Sequence, residues 1–178
     1  RLEAARSIRK WRVAGRGDGM IRTIDWVDGR IEIVDQTRLP DEVVVLRIEA
    51  AEDLIDAILR LAVRGAPALG VAGAMGIALL ASAYPDQPAR VRQAAQAIQA
   101  SRPTAVNLAW GVNRAMTRLA DGAAAVLAEA ERIRDEDIAA CESMASLGAD
   151  LVTSLVARRP VRAMTICNTG ALAAVERG

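Results

Sequence analysis

The sequence contains no histidine and no phenylalanine, and aromatic residues make up only 2% of its 178 positions. A core without aromatic bulk must be built from Ala, Val, Leu and Ile, which favours close packing of helices. The two cysteines are far apart in the sequence, so they do not suggest a disulfide framework, and a zinc site would be short of ligands. We therefore predict a globular protein without a metal centre.

The chain also lacks an excess of either charge, because 23 basic side chains are balanced by 22 acidic ones. A net charge of +1 gives no electrostatic reason to expect nucleic acid or an anionic membrane as a partner. No signal-peptide pattern is present. Residues 67–83 are apolar for almost the width of a membrane, but Ala and Gly dominate and Tyr84-Pro85 follows directly. We predict a buried core helix there and a cytoplasmic protein.

Arg64-Gly65-Ala66-Pro67 stands directly before this apolar run. Proline suits the first turn of a helix, where backbone N–H groups have no partner and the helix dipole is positive. Gly65 lets a ligand approach the backbone closely, and Arg64 adds a permanent cation. The alternative is a surface arginine, which the helix dipole would disfavour. The combination therefore predicts a site for an anion, phosphate above all.

Two further segments repeat this arrangement. Arg102-Pro103-Thr104 precedes a second helical run, and Cys167-Asn168-Thr169-Gly170 follows a short apolar strand. A cation at the positive end of a helix, twice over, again favours a phosphate. Cys167 has two readings of equal weight: a small buried hydrophobe, or a thiol whose pKa is lowered at a helix N-terminus. Cys141, in the middle of a helix, is predicted to be core packing.

Hydrophobic periodicity divides the chain into a small sheet followed by helices. Asp28-Gly29 is a strong signal for a hairpin, and Val43 to Ile48 reads as a further strand. We predict helices over residues 51–63, 68–83, 90–99 and 105–119 and from 123 onward, with a break near Gly148. A buried strand over 161–166 and the first turns of a helix over 170–175 are expected at the end.

These elements predict an α/β protein in four parts. Residues 1–19 are a leader, expected to be disordered; residues 20–50 form an N-terminal antiparallel β-sheet; residues 51–160 form the helical part of the same domain. Residues 161–178 are the first strand and helix start of a Rossmann-like, doubly wound domain that is mostly missing. The chain is accordingly expected to be a fragment or one piece of a split protein.

The three ligand-binding segments, taken together, resemble the methylthioribose-1-phosphate isomerase family, whose superfamily includes ribose-1,5-bisphosphate isomerases and regulatory subunits of translation initiation factor 2B. Two N-terminal segments look like that family's hairpin. The resemblance runs from about Met20 to Ala173, and it is carried by Arg22-Thr23-Ile24-Asp25-Trp26, Asp35-Gln36-Thr37-Arg38-Leu39-Pro40, residues 64–72, residues 102–108 and residues 167–173.

The resemblance implies conversion of 5-methylthioribose 1-phosphate to 5-methylthioribulose 1-phosphate in methionine salvage, without a cofactor and as a homodimer. It implies that Cys167 is catalytic, and that the phosphosugar is bound by Arg64, Gly65, Ala66 and Arg102. Three departures matter: the family's catalytic Asp would lie beyond Gly178, Ile166 stands where the family often has histidine, and residues 175–178 do not follow its usual continuation. We therefore expect little or no activity from this chain alone.

Two alternatives stay open. The first is an isomerase of the same superfamily that acts on ribose 1,5-bisphosphate. The second is a non-catalytic regulatory or scaffold protein on the same fold. The presence of Arg64, Arg102 and Cys167 argues against a scaffold, which needs neither two phosphate-binding segments nor a thiol, whereas the shortness of the chain argues for it.

Overall fold

The computed structural model describes residues 22–157, 160–166 and 169–178. The predicted leader, residues 1–19, lies outside the described residues, as does Cys167. The elements are those of a mixed α/β chain, with three strands followed by helices.

The N-terminal sheet has three antiparallel strands in the order in which they occur along the chain. β1 is Ile24–Val27, β2 is Arg30–Val34 and β3 is Val45–Ile48. The turn between β1 and β2 uses Asp28 and Gly29, both with positive φ, as a tight two-residue hairpin requires. Ile24, Ile31 and Ile33 are fully buried on the face that meets the helices. The predicted hairpin and third strand are confirmed.

Helices make up the rest of the described chain up to residue 155. Their bounds are α1 Ala51–Leu59, α2 Ala66–Ala83, α3 Pro88–Ala100, α4 Val106–Met116 and α5 Ala123–Leu155, with a short 3-10 turn at Leu119–Asp121. α1 is shorter than predicted because Leu61 adopts a positive φ, and the N–H groups of Ala62 and Val63 turn back to the carbonyl of Ala57. Gly148 does not interrupt α5, contrary to the prediction.

α2 lies at the centre of the molecule, buried from Ala68 to Ala81 and packed against the other helices and the sheet. Its length and composition would allow a membrane span, but 78% of it is buried inside the fold. Its glycines allow the neighbouring helices to approach. A Cβ at Gly73 would lie 2.8 Å from the carbonyl oxygen of Leu108, and one at Gly111 on α4 would overlap the backbone of Gly70. The predicted close helix packing is confirmed.

The region after α5 differs from its prediction. Residues 161–166 form no strand, and Met164 and Ile166 are 99% and 91% exposed. Residues 171–176 form turns and bends rather than a helix. A strand is stable only when its backbone groups are paired, and within the described residues no strand lies beside 161–166. The mixed α/β class therefore stands, while the Rossmann-like domain and the boundary at residue 161 stay predictions.

Candidate functional site

The backbone at the start of α2 requires glycine for two separate reasons. Gly65 is the N-cap residue, with φ of +116°, a conformation that residues with a side chain rarely adopt. A Cβ at this position would also overlap the Cα and the carbonyl oxygen of Ala173. The residues after the predicted cysteine segment therefore lie directly against the Arg64-Gly65-Ala66 segment, although more than a hundred residues separate them in sequence.

Hydrogen bonding at this helix start leaves two N–H groups available. Ala68 donates to the carbonyl of Ala173 at 3.2 Å and Leu69 donates to Gly65 at 3.0 Å, while Pro67 has no N–H. The N–H groups of Gly65 and Ala66 have no partner in the described part of the chain. They lie at the positive end of a helix of 18 residues. These two N–H groups are therefore the backbone donors that remain available to the anion predicted from the sequence.

Among residues 22–157, 160–166 and 169–178, neither of the two predicted phosphate-binding arginines has a carboxylate partner. The side chain of Arg64 is exposed, and within the described residues it forms no ion pair. Arg102 is only partly exposed, and its Nη1 atom is buried without a hydrogen-bond partner in the part of the chain that the structure describes. An unpaired buried polar group costs about 1–3 kcal/mol, and more when it is charged. An anion beside Arg102 would remove that cost.

The segment that carries Arg102 is brought to α2 by the packing of α4. The N–H of Ala105 donates to the carbonyl of Arg102 at 2.9 Å, which closes the turn before α4. Asn107, in the first turn of α4, contacts α2 at Gly70: its carbonyl oxygen would lie 3.3 Å from a Cβ at that position. Gly70 is just over one turn from the start of α2. The beginnings of α2 and α4 are therefore neighbours.

Cys167 lies outside the described residues, so its catalytic role stays a prediction. Cys141, the other cysteine, is buried on α5 as predicted. Burial raises the pKa of its thiol, and the nearby charge of Asp137 raises it further. Within the described residues, no group of His, Cys, Asp and Glu side chains is arranged to hold a metal ion.

The sequence analysis did not predict the residues that hold residues 171–175 beside the start of α2. Thr23 donates its hydroxyl to Ala171 at 2.6 Å and its N–H to Val175 at 2.7 Å. The side-chain amide of Gln36 donates to the carbonyls of Leu172, at 2.8 Å, and Arg64, at 3.3 Å. The sequence analysis included Gln36 only as part of a segment that resembles a known family. The feature that could have indicated its role is a polar residue two positions after a buried strand.

Two carboxylates stabilise the segments that surround this arrangement. Burial would raise the pKa of Asp35, but hydrogen bonds from Thr37 and Arg60 outweigh it and lower the pKa below its usual value. The backbone beside Gln36 is thereby held in place by a charged network. On α5, Asp137 accepts a hydrogen bond from the N–H of Val175 at 3.1 Å, and burial raises the pKa of its carboxyl.

Comparison with known proteins shows which family the chain is similar to. Residues 62–177 match the Initiation factor 2 subunit family. The chain is 46% identical over 162 residues to methylthioribose-1-phosphate isomerase of Anaeromyxobacter sp. strain Fw109-5, covering 89% of this chain and 46% of that protein. The chain spans about half or less of the length of the curated relatives it matches.

Two crystal structures share the fold. One is 5-methylthioribose 1-phosphate isomerase from Pyrococcus horikoshii, with a TM-score of 0.76, 30% identity, and coverage of 89% of this chain and 47% of that one. The other is translation initiation factor eIF-2B, subunit delta, from A. fulgidus, with a TM-score of 0.74, 36% identity, and coverage of 88% and 47%. The chain belongs to the Initiation factor 2 subunit family.

Proposed function

We propose that this member of the Initiation factor 2 subunit family carries the phosphate-binding part of an aldose–ketose isomerase that acts on 5-methylthioribose 1-phosphate. The observation that carries the proposal is the buried Nη1 of Arg102, which has no hydrogen-bond partner among the described residues. Arg102 lies in the turn before α4, whose first turn contacts α2 at Gly70, and the N–H groups of Gly65 and Ala66 at the start of α2 also have no partner among those residues. Cation and N–H donors at a helix start form a phosphate site. The names of the relatives supply the substrate, methylthioribose 1-phosphate, and the resemblance supplies its place in methionine salvage.

The substrate itself explains why the phosphate must be held firmly. Its phosphate is on the anomeric oxygen, so the sugar does not simply open to a free aldehyde. Arg64, Arg102 and the N–H groups of Gly65 and Ala66 would fix the phosphate and thereby the reacting carbon next to it. Cys167 would stabilise the reacting centre or move a proton. Both proton transfer and hydride shift are compatible with these groups, and neither requires a cofactor.

The proposal extends to the setting of the protein. The relatives are metabolic enzymes that act on a small phosphosugar, which is consistent with a cytoplasmic protein. A homodimer is inferred from the resemblance.

Phosphorus NMR of 5-methylthioribose 1-phosphate, titrated with the chain, tests the proposal. Binding should shift the phosphate resonance, and Arg102→Ala should weaken binding by about 1.5–3 kcal/mol, the value of a charged hydrogen bond. Arg64→Ala should act in the same direction. Arg92→Ala is the matched control, because Arg92 is exposed on α3 and has no ion pair within the described residues.

Wild-type affinity in both Arg64→Ala and Arg102→Ala would contradict the phosphate assignment. Absence of any binding by the wild-type chain would favour the second candidate, a non-catalytic regulatory protein, for which the fold shared with an initiation factor subunit is the supporting observation. Tighter binding of ribose 1,5-bisphosphate than of the methylthio sugar would instead identify the other isomerase of the superfamily.

A further inference from the structure

Gln36 is buried at the junction between the sheet and the predicted phosphate site. Gln36 is only 6% exposed, and it lies two positions after Val34, the last residue of β2. Its N–H donates to the carbonyl of Ala62 at 2.9 Å, which fixes the backbone from which the side chain extends. Its Nε2 then donates to two carbonyls, those of Leu172 and Arg64. The side chain thus bridges two segments that meet at Gly65.

The bond to the Arg64 carbonyl determines where the N–H of Gly65 points. The two groups belong to one peptide unit, which is planar and trans, so they point in opposite directions. Holding the carbonyl against Gln36 therefore directs the N–H of Gly65 away from Gln36. That N–H is one of the two unpaired donors at the start of α2.

The oxygen of the Gln36 amide shows that this arrangement costs free energy. Its Oε1 atom is buried and has no hydrogen-bond partner among the described residues. Turning the amide over would place that oxygen against two carbonyl oxygens, so the observed orientation is the only one that donates. An apolar side chain of similar length would avoid the unpaired oxygen but would leave the Arg64 carbonyl without its donor. Packing alone does not explain a glutamine here.

We propose that Gln36 is a positioning residue, which aims the N–H of Gly65 at the bound phosphate by holding the carbonyl of Arg64. This inference rests on the proposed function and deepens it. Gln36 does not touch the ligand in this arrangement, because its amide lies on the carbonyl side of the peptide. Gln36 acts on binding indirectly, by fixing the orientation of the peptide unit between Arg64 and Gly65.

The test is an amide NMR titration of the ¹⁵N-labelled full chain with inorganic phosphate. In the wild type, phosphate should shift the Gly65 and Ala66 resonances. In Gln36→Met, the Gly65 shift should be lost or reduced while the Ala66 shift persists, and the affinity should fall about two- to tenfold, the value of one hydrogen bond. Gln99→Met, which removes an amide bond to Asn113 between α3 and α4, should behave as the wild type.

A second variant separates positioning from damage to the fold. Gln36→Glu keeps the shape of the side chain, but its carboxylate cannot donate to either carbonyl at about pH 8, whereas a protonated carboxyl can at about pH 5. With sulfate as the probe, which keeps its charge over this range, the Gly65 shift should be absent at the higher pH and return at the lower one. A merely structural role would not predict this recovery.

The outcomes distinguish the two claims. If the wild-type Gly65 and Ala66 resonances do not move with phosphate, the proposed function fails at this site. If they move in the wild type and move equally in Gln36→Met, the phosphate site stands and the role of Gln36 is overturned. Loss of the Gly65 shift alone, with recovery in Gln36→Glu at low pH, supports both.

Discussion

At the scale of single residues, the proposed phosphate site depends more on backbone groups than on side chains. Gly65 and Ala66 contribute N–H groups, and Ala173 contributes the carbonyl and Cα that fill the space beside them. Arg64 and Arg102 are the charged side chains that the proposal assigns to this site. A site of this kind depends on the backbone being held in one conformation, and Gly65 is the position where that requirement is most severe.

Gly65→Ala should therefore destabilise the chain more than an ordinary glycine substitution. The new methyl group would meet the backbone of Ala173, in addition to the strain of a positive φ. Gly122→Ala is the matched control, since Gly122 also has a positive φ but nothing within 4 Å of the added Cβ. We expect a cost of about 1 kcal/mol for the control and at least about 2–3 kcal/mol for Gly65→Ala in urea unfolding. Equal costs would contradict the contact with Ala173.

The residue scale also shows what the sequence could predict. Arg64 and Arg102 could be singled out because a cation next to a helix start is unfavourable without an anion. Gln36 could not, because its role depends on carbonyls 28 and 136 residues away along the chain. Local sequence patterns predict only local interactions. A buried amide that bridges distant segments is, in the sequence, a single polar residue with no pattern around it.

At the scale of elements, α2 and α4 are held together by glycines on facing surfaces. Gly70 and Gly111 allow the two backbones to touch, which brings the start of α4 beside the start of α2. The hairpin and most helices could be predicted, because their periodicity and turn residues act locally. The strand predicted over 161–166 could not be judged in this way, since a strand depends on neighbours that no local pattern specifies.

Two glycine-to-alanine substitutions in helices should have opposite effects. Gly148→Ala, where the added Cβ meets nothing within 4 Å on α5, should stabilise the chain by about 0.5–1 kcal/mol through helix propensity. Gly111→Ala should destabilise it by about 1–3 kcal/mol, because the methyl group would push α4 away from Gly70. Thermal unfolding followed by circular dichroism measures both. A neutral Gly111→Ala would show that the helices can separate without cost.

At the scale of the whole molecule, one surface is more apolar than a solvent-exposed helix usually is. The second half of α5 exposes large apolar side chains at helical spacing: Met144, Leu147, Leu151, Val152 and Leu155. Exposed apolar surface of this kind is typical of an interaction site. The core itself is continuous from the sheet through α2 to Val175, so this face is not needed to complete it.

We expect this face to mediate self-association of the chain. Leu147→Glu with Leu151→Glu should lower the association constant seen in sedimentation velocity at several protein concentrations, because two charges would have to be desolvated in the contact. Leu59→Glu is the matched control, at an exposed leucine of α1 outside this face. Unchanged association in the double variant would place the contact elsewhere.

The bonds from Thr23 to residues 171–175 also constrain how the protein is made. Thr23 and Ala171 are 148 residues apart, yet the hydroxyl of one is bonded to the carbonyl of the other. During synthesis on the ribosome, Thr23 emerges 148 residues before Ala171, so this bond can form only after that whole stretch has been translated. Such long-range closure slows folding and prolongs the exposure of an incomplete sheet. The turns at residues 171–175 can therefore bond to the N-terminal sheet only after helices α1 to α5 have been translated.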